Sequence, residues 1–387
     1  MEFATQDSAI PEGSTVLVTG CNGFIGSHIA DQFLQRGFRV RGTVRDASKN
    51  TWLANLFDAK YGTGQFELFQ LPDMAAPGAF GEAVRGEYYP HTYPTPDENM
   101  PRCADSMRPP NAGVSAVAHS ASIMTLAHDP NEVIPGAVAF ALNALEAAYG
   151  EPSAKRFVFC SSSTAAVLSV TGRPGVVVTE ATFNEDAVRA AWADPPYTPE
   201  RAHAVYSASK TLAEQAVWKY HRDNGHRRPD MVVNTVLPNM TMGRSLDPVN
   251  QGYPSTAGMV ALLYRGQVVD YHRGVPRQYF VDVQDVGRLH VAAAIVDSVR
   301  GRRIFAFAAR YNWDAVLAVL RRLLADDPAR LARLPADFSG GEDPNEIEPR
   351  PEAERLLRAL GRPGWTSLEE SVAGAVEGLR GLEAAQT

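Results

Sequence analysis

Short apolar runs alternate with amphipathic stretches along the first two thirds of the chain. Residues Thr15–Thr19 are rich in β-branched side chains, which predicts a buried strand. Ile25, Ile29 and Phe33 then recur four residues apart, which predicts a helix with one buried face. The apolar run at residues 38–44 predicts a second strand. A strand, a glycine-containing turn, a helix and a strand within about 30 residues form a βαβ unit.

The same alternation continues to the middle of the chain. Further strands are predicted at residues 66–70, 113–118, 156–160 and 231–237, and helices at residues 78–85, 133–149 and up to about 220. Strands that alternate with helices predict a parallel, doubly wound sheet, so the fold class is α/β.

The length of 387 residues allows two domains. We expect a dinucleotide-binding domain at residues 11–240, to which residues 279–310 return. A smaller, mostly helical substrate lobe is expected at residues 241–387. Residues 87–112 lack periodicity and are predicted to form an exposed insertion.

Two helix starts are predicted from capping residues in the second half of the chain. The spacing of Ser367 and Glu370 matches a capping box and predicts the start of the last helix. Asp285 precedes an apolar helical run, and we expect it to cap that helix and not to act as an acid.

Composition narrows the class of protein. Hydrophobic residues make up 45% and charged residues 21% of the chain, as in globular proteins. The net charge of −7 argues against nucleic acid as the main partner. No apolar run approaches ~18 residues and no signal peptide is evident, so we expect no membrane span and a cytoplasmic protein. The three cysteines are widely separated, which favours reduced thiols, and no metal-ligand spacing occurs.

A tyrosine and a lysine with helical spacing are candidates for proton transfer. Tyr206 and Lys210 are four residues apart, so they lie on one face of the predicted helix. An ammonium group beside a phenol favours the phenolate, and we expect Lys210 to lower the pKa of Tyr206. Such a tyrosine can donate a proton to a substrate oxygen. An exposed pair without a catalytic role is the alternative.

Three glycines follow the first strand and open the first helix. Gly20, Gly23 and Gly26 permit a tight turn, a close approach of a pyrophosphate to the backbone, and packing of the helix on the sheet. The N–H groups at the start of that helix favour bound phosphates. The pattern predicts a dinucleotide site, and a purely structural turn is the alternative.

The end of the second strand indicates which dinucleotide is bound. An arginine there accommodates the 2′-phosphate of NADPH, whereas a carboxylate binds the ribose hydroxyl of NAD. Arg45 and Lys49 favour NADPH. Asp46 lies between them and leaves NAD open.

A cluster of hydroxyl side chains, residues 161–164, follows the fifth predicted strand. Ligands of open parallel sheets bind beyond the carboxyl ends of the strands, so these hydroxyls are expected to face the cofactor. One of the serines can bind a substrate carbonyl oxygen while Tyr206 protonates it.

These motifs together resemble the extended short-chain dehydrogenase/reductases, which have a Rossmann fold. Residues 43–46, 206–216 and 237–239 resemble the dihydroflavonol reductase and cinnamoyl-CoA reductase branch. Residues 361–371 and the spacing from Ser162 to Tyr206 resemble its fungal carbonyl (aldehyde) reductases. The chain departs from the family at residues 87–112 and at Cys21, where alanine or glycine is usual.

The resemblance implies roles for individual residues. The catalytic residues would be Ser162, Tyr206 and Lys210. The cofactor would contact Gly20, Asn22, Gly23, Phe24, Ile25, Gly26, Arg45, Lys49, Asp73, Met74, Ala121, Lys210 and Pro238. The substrate would contact Ser163, Asn239, Gln278 and Val275.

The implied function is an NADPH-dependent carbonyl reductase that acts on a small β-ketoester-like, aryl ketone or aldehyde substrate and gives a chiral alcohol reversibly. We expect no metal and a monomer or homodimer. The alternative on the same fold is a nucleotide-sugar epimerase or dehydratase that retains NAD. A non-catalytic dinucleotide sensor is a third reading.

Overall fold

The computed structural model describes residues 8–86, 113–168 and 174–384. The insertion that we predict at residues 87–112 lies outside this described part of the chain.

A central sheet of seven parallel strands is the core of the fold. Its order is β3-β2-β1-β4-β5-β7-β10. The strands are β1 (Thr15–Thr19), β2 (Arg39–Val44), β3 (Phe66–Gln70), β4 (Ala116–His119), β5 (Arg156–Cys160), β7 (Val232–Pro238) and β10 (Arg303–Ala306). The strand order reverses between β1 and β4, so the sheet is doubly wound, as predicted. Six of the seven strands match predicted runs, and β10 was not predicted.

Helices cover both faces of this sheet. They are α1 (Phe24–Leu34), α2 (Thr51–Tyr61), α3 (Gly81–Arg85), α4 (Pro130–Gly150), α5 (Glu185–Ala191), α6 (Ala202–Asn224) and α9 (Val283–Ile295). Val16 and Val18 of β1 pack on the face with α1 and α9, and Leu17 packs on the face with α4 and α6. This alternation with period two explains why β1 is apolar throughout.

The C-terminal part carries two small sheets and several helices. Strands β8 (Met240–Met242), β9 (Arg277–Asp282) and β11 (Ala309–Asn312) form one sheet, and β6 (Val177–Val178) pairs with β12 (Glu346–Ile347). The helices are α7 (Ala257–Tyr264), α8 (Asp270–Gly274), α10 (Trp313–Leu323), α11 (Pro328–Leu331), α12 (Arg350–Ala359) and α13 (Leu368–Ala384). In sequence, α9 and β10 lie between β9 and β11. They belong to the central sheet, on which α9 packs and in which β10 pairs with β7. The proposed domain boundaries stay a prediction.

One of the two predicted caps is confirmed and one is wrong. The Ser367 hydroxyl accepts the N–H of Glu370, whose carboxylate accepts the N–H of Ser367 at 2.8 Å, so the capping box is confirmed. Helix α9 is capped by Asp282, which accepts the N–H of Gln284. Asp285 lies one turn further along and is buried. Its carboxylate is used instead in an ion pair with Arg288 at 2.6 Å.

Helix α4 is the one described helix whose length and apolar composition would suit a membrane span. Its buried side chains pack against α6 and against β4 and β5. These contacts give it the position of a core helix beside the sheet.

A buried carboxylate joins α6 to three strands of the central sheet. Glu214 is fully buried and accepts hydrogen bonds from Ser161 at 2.7 Å and Thr235 at 2.8 Å. The Arg303 guanidinium donates to both of its oxygens, at 2.7 and 3.2 Å. Trp218 donates to it at 3.3 Å. The carboxylate therefore fixes α6 relative to the end of β5, to β7 and to β10.

We expect Glu214→Gln to lower the free energy of unfolding by about 3 kcal/mol, because Arg303 is then left with an uncompensated buried charge. Urea denaturation measures the change. The exposed Glu352–Arg355 pair provides the control, and Glu352→Gln should cost less than about 1 kcal/mol. Equal effects of the two substitutions would contradict the role assigned to Glu214.

Three histidines are buried without full hydrogen bonding. One ring nitrogen of each lacks a partner among the described residues: Nδ1 of His28, Nε2 of His119 and Nε2 of His290. Burial lowers the pKa of His28 to about 4, of His119 to about 3 and of His290 to about 4. Burial also raises the pKa of Asp282 to about 6, which affects stability in the opposite direction.

The free energy of unfolding should fall as the pH drops below about 6.5, because the unfolded histidines then bind protons that the folded ones do not. At about pH 5 the loss should be roughly 2 kcal/mol for each histidine. Protonation of Asp282 in the folded protein offsets part of this loss. The net effect is still a loss of stability, because three histidines act in one direction and only Asp282 acts in the other.

Urea denaturation across this pH range measures the slope. His290→Leu should flatten it by about one third, whereas substitution of the exposed His226 by glutamine should leave it unchanged. A stability that does not change from pH 7 to pH 5 would refute the prediction.

Candidate active site

A cavity of about 480 Å³ lies at the carboxyl ends of the central strands, beside the reversal between β1 and β4. Sixteen of the predicted site residues line it. They are Gly20, Asn22, Gly23, Phe24, Ile25, Gly26, Arg45, Met74, Ala121, Ser162, Ser163, Tyr206, Lys210, Pro238, Asn239 and Gln278. Lys49, Asp73 and Val275 were also predicted but do not line it.

The glycine-rich loop forms one end of this cavity and depends on glycine at two positions. Gly20 has a φ of +62°, a conformation that favours glycine. A Cβ on Gly26 would lie 2.2 Å from the Gly20 carbonyl oxygen, so a side chain there would clash. The N–H groups of the first turn of α1 have no carbonyl partner within the helix. Together, the tight turn and these free donors fit the pyrophosphate of a dinucleotide.

A glutamine from the C-terminal part holds this loop. The Gln251 side-chain amide donates to the carbonyl oxygens of Asn22 at 3.2 Å and Gly23 at 3.3 Å, and to the Ser27 hydroxyl at 2.9 Å. Ser245 donates to the amide oxygen of Gln251 at 2.9 Å. The N–H groups of Gly20, Cys21 and Gly23 are used by Thr43 and by the Gly20 carbonyl oxygen, so the donors left for a phosphate are those of the first turn of α1.

The charged side chains after β2 differ in their availability. Arg45 lines the cavity and makes no hydrogen bond or ion pair within the described ranges. Asp46 accepts hydrogen bonds from the Ser48 hydroxyl at 2.7 Å and the Lys49 N–H at 3.3 Å, and these hold its pKa below the usual value. The exposed Lys49 ammonium lies 3.4 Å from Asp46. Arg45 therefore remains for a phosphate, while Asp46 is used within its own turn.

Asp73, Met74 and Ala121 were all expected to contact the cofactor. Met74 and Ala121 line the cavity. The Asp73 carboxylate instead accepts the N–H of Ala75 at 2.8 Å. Asp73 therefore shapes the loop that carries Met74.

Ser162 is oriented by Thr164, another member of the predicted hydroxyl cluster. Its hydroxyl oxygen accepts the N–H of Thr164 at 3.2 Å and the Thr164 hydroxyl at 3.0 Å. A serine hydroxyl has two acceptor positions and one proton. With both acceptor positions filled, the Ser162 proton is available to Tyr206, with which Ser162 is hydrogen-bonded, or to a substrate oxygen.

The pKa of Tyr206 is raised in this structure, and the expected lowering by Lys210 stays a prediction. Burial raises this pKa, and the hydrogen bond from Ser162 lowers it. The Lys210 ammonium donates to the Cys160 carbonyl oxygen at 3.5 Å. Burial lowers the pKa of Lys210, and Cys160 and Glu214 raise it. The end of β5 therefore positions the Lys210 ammonium, and Glu214 favours its charged form.

The substrate side of the cavity includes one unexpected aromatic residue. Ser163, Asn239 and Gln278 line the cavity, as does Tyr271 of α8. Val275 does not, and its carbonyl oxygen accepts the Trp313 indole N–H at 2.9 Å. Tyr271 lies in a stretch without clear periodicity, so only the packing of the C-terminal part reveals it.

Burial makes both described cysteines poor nucleophiles. Cys21, in the glycine-rich loop, and Cys160, in the cavity wall, are free thiols. Burial raises the pKa of Cys21 above its usual range and that of Cys160 to about 11. Within the part of the chain that the structure describes, no three His, Cys, Asp or Glu side chains are grouped as metal ligands.

The chain is similar to reductases over nearly its full length. It is 36% identical to aldehyde reductase 2 of Sporidiobolus salmonicolor, over 95% of this chain and 96% of that protein. It is 33% identical to the ketoreductase nvfG of Aspergillus novofumigatus, over 95% and 97% of the two chains. The fold is similar to that of Gre2 from Candida albicans in complex with NADPH, with a TM-score of 0.73, 22% identity, and coverage of 95% and 99%.

The sequence profile of the NAD dependent epimerase/dehydratase family matches residues 16–305. This match includes the central sheet except for Thr15 and Ala306 at its ends, the glycine-rich loop, and both Tyr206 and Lys210. Because the profile covers most of the chain and the curated relatives align with nearly all of it, the chain belongs to the NAD dependent epimerase/dehydratase family.

Proposed function

We propose that this protein is an NADPH-dependent carbonyl reductase that reduces a ketone or aldehyde to an alcohol and also catalyses the reverse reaction. The observation that carries the proposal is the convergence of Ser162, Tyr206 and Lys210 on a cavity whose other end is the glycine-rich loop. Relatives named aldehyde reductase and ketoreductase support the reaction class.

Residues of this chain would hold the cofactor at both ends. The first turn of α1 would bind the pyrophosphate, and Arg45 the 2′-phosphate. Met74 would contact the adenine half, and Ala121, Pro238 and Lys210 the nicotinamide half. When bound, the dinucleotide supplies the hydride that reduces the carbonyl carbon.

The side chains at the other end of the cavity account for the proton. Ser162 would donate its free proton to the substrate carbonyl oxygen and so hold that oxygen beside Tyr206. Tyr206 would transfer its phenolic proton to this oxygen as the alcohol forms. The phenol is protonated near neutral pH, and burial raises its pKa further above that range. Lys210 would bind the ribose of the nicotinamide half.

We propose a small, freely diffusing carbonyl compound such as a β-ketoester, an aryl ketone or an aldehyde, and a cytoplasmic monomer or homodimer. Ser163, Asn239 and Gln278 would contact the substrate. The alternative, an epimerase or dehydratase that retains NAD, is less well supported because Asp46 is bound within its own turn. The absorbance spectrum of the purified protein would reveal retained NAD.

The purified protein should consume NADPH in the presence of an aryl aldehyde or a β-ketoester. Tyr206→Phe should reduce kcat by roughly 100-fold or more, because the phenylalanine has no proton to donate. Absorbance of the reduced cofactor measures the rate. Tyr220, on the same helix outside the cavity, provides the control, and Tyr220→Phe should retain activity. Full activity of Tyr206→Phe would refute the role of Tyr206.

Arg45→Ala should raise the KM for NADPH by roughly 10- to 100-fold and change the KM for NADH little, because only NADPH carries the 2′-phosphate. Lys49→Ala should have a smaller effect, since Lys49 lies outside the cavity lining. Initial rates with each cofactor give both constants. Equal changes for the two cofactors would mean that Arg45 does not bind the phosphate.

A further inference from the structure

Tyr271 carries a second phenol into the cavity that Tyr206 lines. Its ring meets Trp313 edge-on, with centroids 6.5 Å apart, and lies 6.2 Å from the ring of His203. His203 precedes Tyr206 by three residues on α6, so the two side chains share a face of that helix. The Tyr271 ring is thus held between the C-terminal part and the face of α6 that carries the proposed proton donor.

The Tyr271 hydroxyl donates its hydrogen bond to a weak acceptor. The Gln278 amide donates to the phenol oxygen at 3.0 Å. The phenol in turn donates to the Met240 sulfur at 3.8 Å. A thioether sulfur is a weak acceptor, and a carbonyl or hydroxyl oxygen in the same position would accept the proton more strongly. Because Gln278 donates to the phenol oxygen, the phenol itself acts as a donor. An oxygen atom of a ligand would be a stronger acceptor for it than the Met240 sulfur.

The surroundings of this phenol favour its protonated form. Burial raises the pKa of Tyr271, the hydrogen bond from Gln278 lowers it, and Tyr206 raises it, so that the net shift is upward. Tyr206 remains the proposed proton donor because it is hydrogen-bonded to Ser162. The Tyr271 hydroxyl is left to bind an acceptor group.

We infer that Tyr271 is a specificity-determining residue that binds a second oxygen of the substrate, near the carbonyl that is reduced. The preferred substrates are then carbonyl compounds with an additional acceptor, such as a keto ester, a diketone or a hydroxy ketone. Ser162 and Tyr206 hold the reacting oxygen, and Tyr271 holds the second one. The inference rests on the proposed function of the same cavity.

The wild-type protein tests the substrate class with two ketones of matched length, ethyl acetoacetate and methyl pentyl ketone. Only the first has oxygen atoms beyond the ketone. The second oxygen should raise kcat/KM by about tenfold, the effect of one well-placed hydrogen bond. Equal kcat/KM for the two ketones would overturn the inference and leave the proposed reductase function intact. Consumption of NADPH with neither of them, nor with an aryl aldehyde, would overturn both.

Tyr271→Phe separates binding of the second oxygen from simple packing. The variant keeps the ring and should lose about tenfold in kcat/KM for ethyl acetoacetate, mostly through KM, with little change for methyl pentyl ketone. Tyr311→Phe is the matched control. Tyr311 packs against the same Trp313 at 5.3 Å, and its hydroxyl has no partner among the described residues and lies outside the cavity lining. It should leave both substrates unaffected.

The pattern of losses decides the outcome. A selective loss for ethyl acetoacetate in Tyr271→Phe, absent in Tyr311→Phe, supports the inference. An equal loss for both ketones would mean that Tyr271 only shapes the cavity, and the inference would fail. Titration of NADPH by quenching of protein fluorescence shows whether the variant is folded, since the cofactor end of the cavity does not involve Tyr271.

Discussion

The geometry of the candidate site depends on one buried negative charge. Glu214 lies in the interior on α6 and is bound by hydroxyls from β5 and β7 and by the Arg303 guanidinium from β10. A carboxylate in that position is tolerated only when its oxygens are fully bound, so the surrounding elements have one relative placement. Ser161 is bound directly, and Ser162 follows it in the chain. Lys210 is one turn before Glu214 on the same helix, so the same carboxylate positions both ends of the proposed catalytic set.

The cavity is built from two distant parts of the chain. The first βαβ unit supplies the loop that fits a pyrophosphate. The segment after β8 supplies Gln251, which binds the carbonyl groups of that loop, and α8 supplies Tyr271 on the opposite side. The cofactor end and the substrate end therefore share one framework, although they are more than 200 residues apart in sequence.

The sequence was sufficient where a local pattern reflects a local physical need. Buried parallel strands need continuous apolar runs, the turn before α1 needs glycine, and Tyr206 and Lys210 need helical spacing. Helix α2 and strand β10 were missed, because β10 is polar at Arg303 and α2 buries few side chains. The cap of α9 was placed three residues too late, since either Asp282 or Asp285 fits the sequence pattern.

Site details that depend on tertiary packing could not be predicted from the sequence. The direction of the Lys210 ammonium, the two hydrogen bonds from Thr164 to Ser162, and the position of Tyr271 follow from how α6, β5 and the C-terminal part meet. Asp73 and Val275 were predicted as contacts, but the Asp73 carboxylate accepts the N–H of Ala75 and the Val275 carbonyl oxygen accepts the indole N–H of Trp313. A resemblance transfers the type of residue at a position and not the direction in which its side chain points.

The hydrogen bonds of Gln251 couple dinucleotide binding to the local unfolding of the segment from Ser245 to Gln251. A ligand that orders the glycine-rich loop also favours the conformation of the segment from Ser245 to Gln251, because the same amide bridges both. Dinucleotide binding should therefore also stabilise this segment of the C-terminal part against local unfolding. Substitutions far from the phosphates, in the segment after β8, can therefore change cofactor affinity without touching the cofactor.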